Sequence, residues 1–285
     1  MNETVKIWNQ ISLSDLDSSF LLYENGHYRN SYFLFQQASE KANKAFALLG
    51  GKFTLKDLEH YSHDQLKIFK KISVSQEGKI NELIQLLEPY PKNTYHKLFE
   101  NTNFIEYRKS LLDEVSFIYS LKNYDLLNIS IKDLNFIIKS LIKLKETQLK
   151  IPLNFDSIFK SKMFEVANWI GQFATENAKE EKANFEKFIN DEEKLNQLYN
   201  YMINYLFPML IDSVFIYTTL YFCAIITVQH SSLTRYPKDN INPNLIYTKQ
   251  LPIVKKQKYF MTLLQEAILK INRINNKKPD LTIEF

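Results

Sequence analysis

Glycine is the scarcest structural signal in this chain, with 5 residues in 285. So few glycines exclude turn-rich all-β folds and leave no loop of the kind that cradles a phosphate on backbone N–H groups. There is one cysteine, Cys223, so no disulfide framework can form within one chain, and a reducing compartment fits. The first ten residues, MNETVKIWNQ, contain no apolar stretch of signal-peptide length, and cytoplasmic placement is the expectation. Metal chemistry also lacks its usual marks. The histidines at 27, 60, 63, 96 and 230 form no His-Glu-x-x-His pair of helix turns, and His60 with His63 alone lacks a carboxylate at ligand spacing. No P-loop, dinucleotide fingerprint or nucleophile elbow is present. No metal and no cofactor are therefore expected.

What is present is apolar and helical. Apolar residues make up 45% of the chain, and 36 Lys and Arg stand against 32 Asp and Glu, a net charge of +4. This balance is compatible with a nucleic-acid partner without being a basic footprint. Helical spacing runs from Leu13 to Gly50 with a break at Asn25-Gly26, then from Leu55 to Ile72 and from Ile80 to Leu87. Further helices are expected over Phe104–Leu121, Ser130–Lys145, Asp156–Ile189 and onward from Glu192. Ser130-Ile-Lys-Asp133 has the form of a capping box. ENAKEEKANFEKF within the 156–189 helix reads as a solvated face. Pro252 opens a last helix to about Ile274.

Leu206–Val228 is long enough to span a bilayer. It also carries Asp212, which costs about 2.5–3.5 kcal/mol at mid-membrane. An all-round apolar helix serves equally as the centre of a bundle.

The most regular segment places Phe35, Ala38, Ala42, Ala45 and Leu49 on one helix face. Three of these are Ala, which lets a neighbouring helix approach closely. Gln36, Glu40 and Lys44 form a polar stripe beside that seam. On periodicity alone the stripe is a solvated ridge with Glu-to-Lys pairing, worth a few tenths, about 0.3 kcal/mol.

Three marks along the chain carry a family resemblance. Gly26-x-Tyr28 is followed by Gln36-Gln37-Ala38-Ser39-Glu40-Lys41-Ala42 and Lys44-Ala45, which closely resembles the first long helix of HEPN domains. His63-Asp64-Gln65-Leu66 resembles the element opening the second helix. Leu233-Thr234-Arg235-Tyr236-Pro237 resembles the turn before the last helix. The resemblance implies an all-α fold, an antiparallel helical bundle of HEPN type. It covers residues 12–75 and 195–275, with 76–194 as a large helical insertion. In that setting the run 206–228 becomes a core helix and needs no membrane.

The resemblance also implies partners and activities. Family members are often homodimers. Some are metal-independent endoribonucleases in toxin–antitoxin, antiphage-defence and CRISPR systems. Others bind nucleotides or pair with a nucleotidyltransferase without catalysis. The catalytic members carry Arg followed four to six residues later by His. The His moves the proton of an attacking 2′-hydroxyl and the Arg holds the phosphate. This chain departs from that order, because none of Arg29, Arg108, Arg235 or Arg273 has such a His. It has the reverse, His230 and then Arg235.

Three readings follow, the third being a purely structural bundle whose inserted region does the recognising. In the first the protein acts on RNA as an endoribonuclease, with His230 as general base or acid and Arg235 as phosphate clamp. Glu40, Lys41, Lys44, His63, Asp64 and Tyr236 then line the binding cleft. In the second it is a non-catalytic module that binds a nucleotide or a partner protein. Several site residues also have a structural alternative. His230 can cap helix carbonyls, Arg235 can clamp the turn, Tyr236 can pack, and His63-Asp64 can be a helix-start feature.

Overall fold

The computed structural model describes residues 2–51, 53–61, 64–87, 103–121, 125–147, 154–171, 176–236 and 242–276. His63, Pro237 and the EPYPKN loop lie outside them. Among the described residues every regular element is helical and there is no strand. The chain divides into two compact units.

The first unit comprises Met1–Ser73, Glu114–Thr147 and Ile211–Lys278. It opens with α1 (Glu3–Glu24), capped by Asn2, whose side chain accepts from the N–H groups of Thr4 and Val5. The helix therefore begins ten residues before Leu13, its expected start. Its buried face is Val5, Asn9, Ser12, Leu16 and Ser19. The spacing is helical, but three of the five are polar, so the apolar pattern is faint in the first two turns.

Gly26 takes φ +79 and reverses the chain into α2 (Tyr28–Leu49). Gly51, φ +65, follows its end. The alanine seam allows the contact it predicts: Ser12 Oγ donates to the Ala38 carbonyl at 2.6 Å, and Ala38, Ala42 and Ala45 are fully buried. The polar stripe beside it differs from expectation. Lys44 does pair with Glu40 at 2.8 Å, yet Gln36 and Glu40 are 1% and 5% exposed. Both flanks of α2 are covered, so the ridge lies inside the unit.

After α3 (Leu55–Tyr61) comes α4 (Leu66–Leu87), continuous across the gap expected between 72 and 80. Next come α5 (Phe104–Ser120), a 3-10 turn (Leu126–Asn128) and α6 (Ile131–Lys145). Ser130 caps α6 as its sequence predicts, accepting from the Asp133 N–H at 3.1 Å and donating to its carboxylate at 2.7 Å. Residues 114–147 cluster with the first unit, although the sequence reading put them in the inserted stretch 76–194. The reason is the apolar face Leu134, Ile137, Ile138 and Leu141 of α6, which is buried in the main core.

The second unit comprises Val74–Asp113, Gln148–Leu210 and Pro279–Phe285. It contains α7 (Phe155–Ile170), α8 (Glu176–Asn190) and α9 (Glu192–Tyr201). The single helix expected over 156–189 is divided at Gly171, where α7 ends. Phe159, Ala167, Phe188, Ile189 and Leu195 form its core. The charged stretch of α8 is solvated at Glu180, Glu181 and Lys187, while Phe188 and Ile189 turn inward.

A π-helical turn, Met202–Leu206, precedes α10 (Phe207–Val228). Pro208 has no N–H to give and its ring crowds the carbonyl one turn back, so the wider turn upstream relieves it. The helical run Glu192–Val228 is long and apolar enough to cross a membrane by length and composition. Within the first unit, α10 has the packing of a core helix. Phe215, Ile216, Leu220 and Cys223 to Thr227 are buried, and Asp212 is neutralised by Lys270 at 2.6 Å and by Arg273. The unit closes with α11 (His230–Leu233), α12 (Pro243–Ile246) and α13 (Pro252–Asn276). Polar bonds tie α13 to the start of the chain: Asn9 to Asn272 at 2.8 Å and Gln257 to Ser31 at 2.7 Å.

Candidate functional site

The end of α10 delivers His230 into the interior. Tyr32, from α2, donates its hydroxyl to the Ile226 carbonyl at 2.8 Å and lays its ring 4.8 Å from the imidazole. Asn242 caps the short α12 by accepting from the Asn244 N–H at 3.0 Å, and Tyr247 N–H donates to the Pro243 carbonyl at 3.1 Å. That turn brings the Tyr247 hydroxyl 2.6 Å from His230 Nδ1. His230 is 1% exposed, and its Nε2 has no hydrogen-bond partner among the described residues. Burial pushes the imidazole down to about 4, against a smaller upward pull from the Leu126 backbone and Asp125. The ring is thus neutral at pH 7. Burial also raises the Tyr247 and Tyr32 hydroxyls, so both keep their protons.

On the far side of Tyr247 is a polar cavity of about 390 Å3, lined by Gly26, His27, Arg29, Asn30, Asn244 and Tyr247, with Tyr28 beside them. Its shape follows from the α1–α2 reversal. Gly26 N–H donates to the Tyr23 carbonyl at 3.1 Å and His27 N–H to Leu22 at 2.9 Å. This sets His27 as the cap of α2 with no side-chain cap bond. Arg29 holds Asn30 Oδ1 through Nε and Nη2 at 3.1 and 2.9 Å. Among the described residues no carboxylate lines the cavity, and the neighbouring Glu24 is paired with Lys258 at 2.6 Å. A guanidinium, an imidazole, two amides and a helix start facing one space suit an anion with several acceptor oxygens.

Residues 5–116 match the family model described as HEPN domain. Over these residues the chain is similar to a HEPN domain. The match runs through α1 to α4 and most of α5, past residue 76 into the stretch read as inserted, and does not reach His230–Tyr236. No curated protein and no solved structure matches the chain.

The predicted site residues are scattered. His230 is buried, whereas Arg235 is half-buried with its guanidinium 5.1 Å from the Phe33 ring, and no described contact joins the two. Arg235 Nε is buried and has no hydrogen-bond partner among the described residues. Tyr236 is 66% exposed. Lys41 binds Asp15 at 2.5 Å. Glu40 and Lys44 bind each other, with the Lys44 ammonium 5.4 Å from the Trp8 ring. Asp64 is exposed and 3.9 Å from Lys67. His63 lies outside the described residues. No group of three or more potential metal ligands occurs among the described residues.

The sequence reading missed Arg29, Asn244 and Tyr247. Gly26-x-Tyr28 was a usable signal for the first of these. Nothing local marks the other two, because only the returning chain places them opposite α2.

Proposed function

We propose that this protein binds a phosphate-bearing ligand, RNA or a free nucleotide, without cleaving it. The polar cavity at the start of α2 receives the phosphate. The observation that carries this reading is the position of His230. A general base must come within hydrogen-bond reach of the hydroxyl it deprotonates. His230 is instead sealed, with Nδ1 engaged by Tyr247 and its proton affinity held low by burial. Arg29 and His27 face the cavity in front of Tyr247 and supply charge and donors for binding alone. A homodimer in the cytoplasm, with a nucleotidyltransferase as partner protein, completes the proposal.

The test uses labelled single-stranded RNA and AMP in EDTA at low salt. Wild type is expected to leave RNA intact and to bind it with strong salt dependence. Arg29→Met is expected to weaken binding about tenfold, the loss of one charge-assisted contact. Metal-free cleavage that disappears in His230→Ala would instead favour the endoribonuclease reading with His230 and Arg235 as its catalytic pair.

A further inference from the structure

A second cavity, chemically unlike the first, lies where α4, the end of α5 and the end of α10 meet in the first unit. Its volume is about 360 Å3, within the range of small-molecule sites. Leu66, Ile118, Leu121 and Val228 give it an apolar lining, with Tyr119 at the rim and Lys67, Lys70, Asp64 and Gln229 as its polar members.

The polar members are not equally available. Gln229 is spent on the chain: its Oε1 accepts from the Leu126 N–H at 2.9 Å and its Nε2 donates to the Leu121 carbonyl at 3.4 Å. Asp64 lies 3.9 Å from Lys67 and offsets its charge. Lys70 has no carboxylate within ion-pair distance among the described residues. Its ammonium bonds the Tyr119 hydroxyl and sits 4.0 Å from that ring. Glu114, a carboxylate on α5, is occupied by Ser73 and Tyr217, both at 2.8 Å. Among the described residues the cavity therefore offers one uncompensated cation over an apolar space, and its one amide is already engaged.

We infer that this cavity is a binding site for a small apolar monocarboxylate, its hydrocarbon body against Leu66, Ile118, Leu121 and Val228 and its carboxylate on Lys70. A nucleobase does not suit it, because the base's donors and acceptors would be buried without partners, at a cost of about 1–3 kcal/mol for each group. Tyr119 shares the ammonium with the ligand through its ring face.

The test is calorimetric titration of the full chain with octanoate, octan-1-ol and AMP. Octanoate is expected to bind one to one, and octan-1-ol, with the same body and no charge, about tenfold more weakly. Lys70→Met keeps the stem and removes the charge, and is expected to weaken octanoate about tenfold while leaving octan-1-ol unchanged. Arg29→Met is expected to leave octanoate binding unaltered. No saturable octanoate binding up to about 1 mM, equal affinity for octan-1-ol, or unchanged affinity in Lys70→Met overturns the inference. AMP or RNA binding that persists in any of these cases leaves the phosphate-binding reading standing. Octanoate binding with no AMP or RNA binding overturns that reading alone.

Discussion

Acid should unfold this protein through His230, and the size of the effect can be worked from its surroundings. The imidazole is neutral in the fold, with its proton affinity lowered from 6.5 to about 4 by burial. In the unfolded chain it returns to its ordinary value and takes up a proton more readily. The unfolded state therefore binds more protons between these two values, and stability falls as pH falls through that window. The contribution is complete above pH 6.5. At about 1.4 kcal/mol per tenfold change in proton affinity, about 2 kcal/mol is lost by pH 5 and about 3 kcal/mol by pH 4. Below pH 4 the loss levels off, because the folded state then protonates as well. Urea unfolding at intervals from pH 7.5 to 4 measures this directly, with His230→Asn as the comparison. The variant is less stable at pH 7.5, having lost the Tyr247 bond and the Tyr32 contact. Its stability should nevertheless fall by about 3 kcal/mol less than wild type across the window. Parallel pH profiles for the two proteins would refute the assignment of His230 as a buried neutral residue.

Three further outcomes follow from the packing. Ala38→Leu should cost about 1–3 kcal/mol in urea unfolding, because Ser12 Oγ lies 2.6 Å from the Ala38 carbonyl and the seam has no room for a larger side chain. Asp212→Ala should lower stability by about 2 kcal/mol. It strands Lys270 in a largely buried position, and the exposed Arg273 keeps the loss below the about 3–5 kcal/mol of a fully buried pair. Ser130→Ala should remove about 1 kcal/mol by uncapping α6, seen as a lower unfolding midpoint with no change in denaturant dependence.

The parts of the fold that were legible are those in which a local rule and the tertiary structure agree. The capping box at Ser130, the reversal at Gly26, the alanine seam and Pro252 at the head of α13 all fall where their chemistry places them. The first half of α1 was not legible, since its inward face is Asn9 and Ser12 as well as Val5, and a search for apolar spacing passes over polar residues that pair with α2 and α13. The Gln36–Glu40–Lys44 stripe was misjudged for a related reason. Periodicity assigns residues to a face, but it does not say whether another helix covers that face.

The same distinction runs through the candidate site. His230 is conspicuous as a polar residue ending an apolar helix, and that prominence suggests an exposed working group. Its burial depends on Tyr32, two hundred residues earlier in the chain (roughly), and on Tyr247, which arrives after a further turn. Arg29 and Asn244 come together by the same long-range closure.

By itself, the sequence determined the helical class, the HEPN resemblance of its first part, an alanine face on α2 that lets a neighbouring helix approach closely, and the lack of a metal-ligand pattern, because each depends on residue types at short spacing along one chain segment. Tertiary structure alone decided which polar residues face inward, that residues 114–147 join the first unit, and that His230 is sealed while Arg29 opens on a cavity. Those outcomes are set by which surfaces bury one another, and burial is a property of segments distant in sequence.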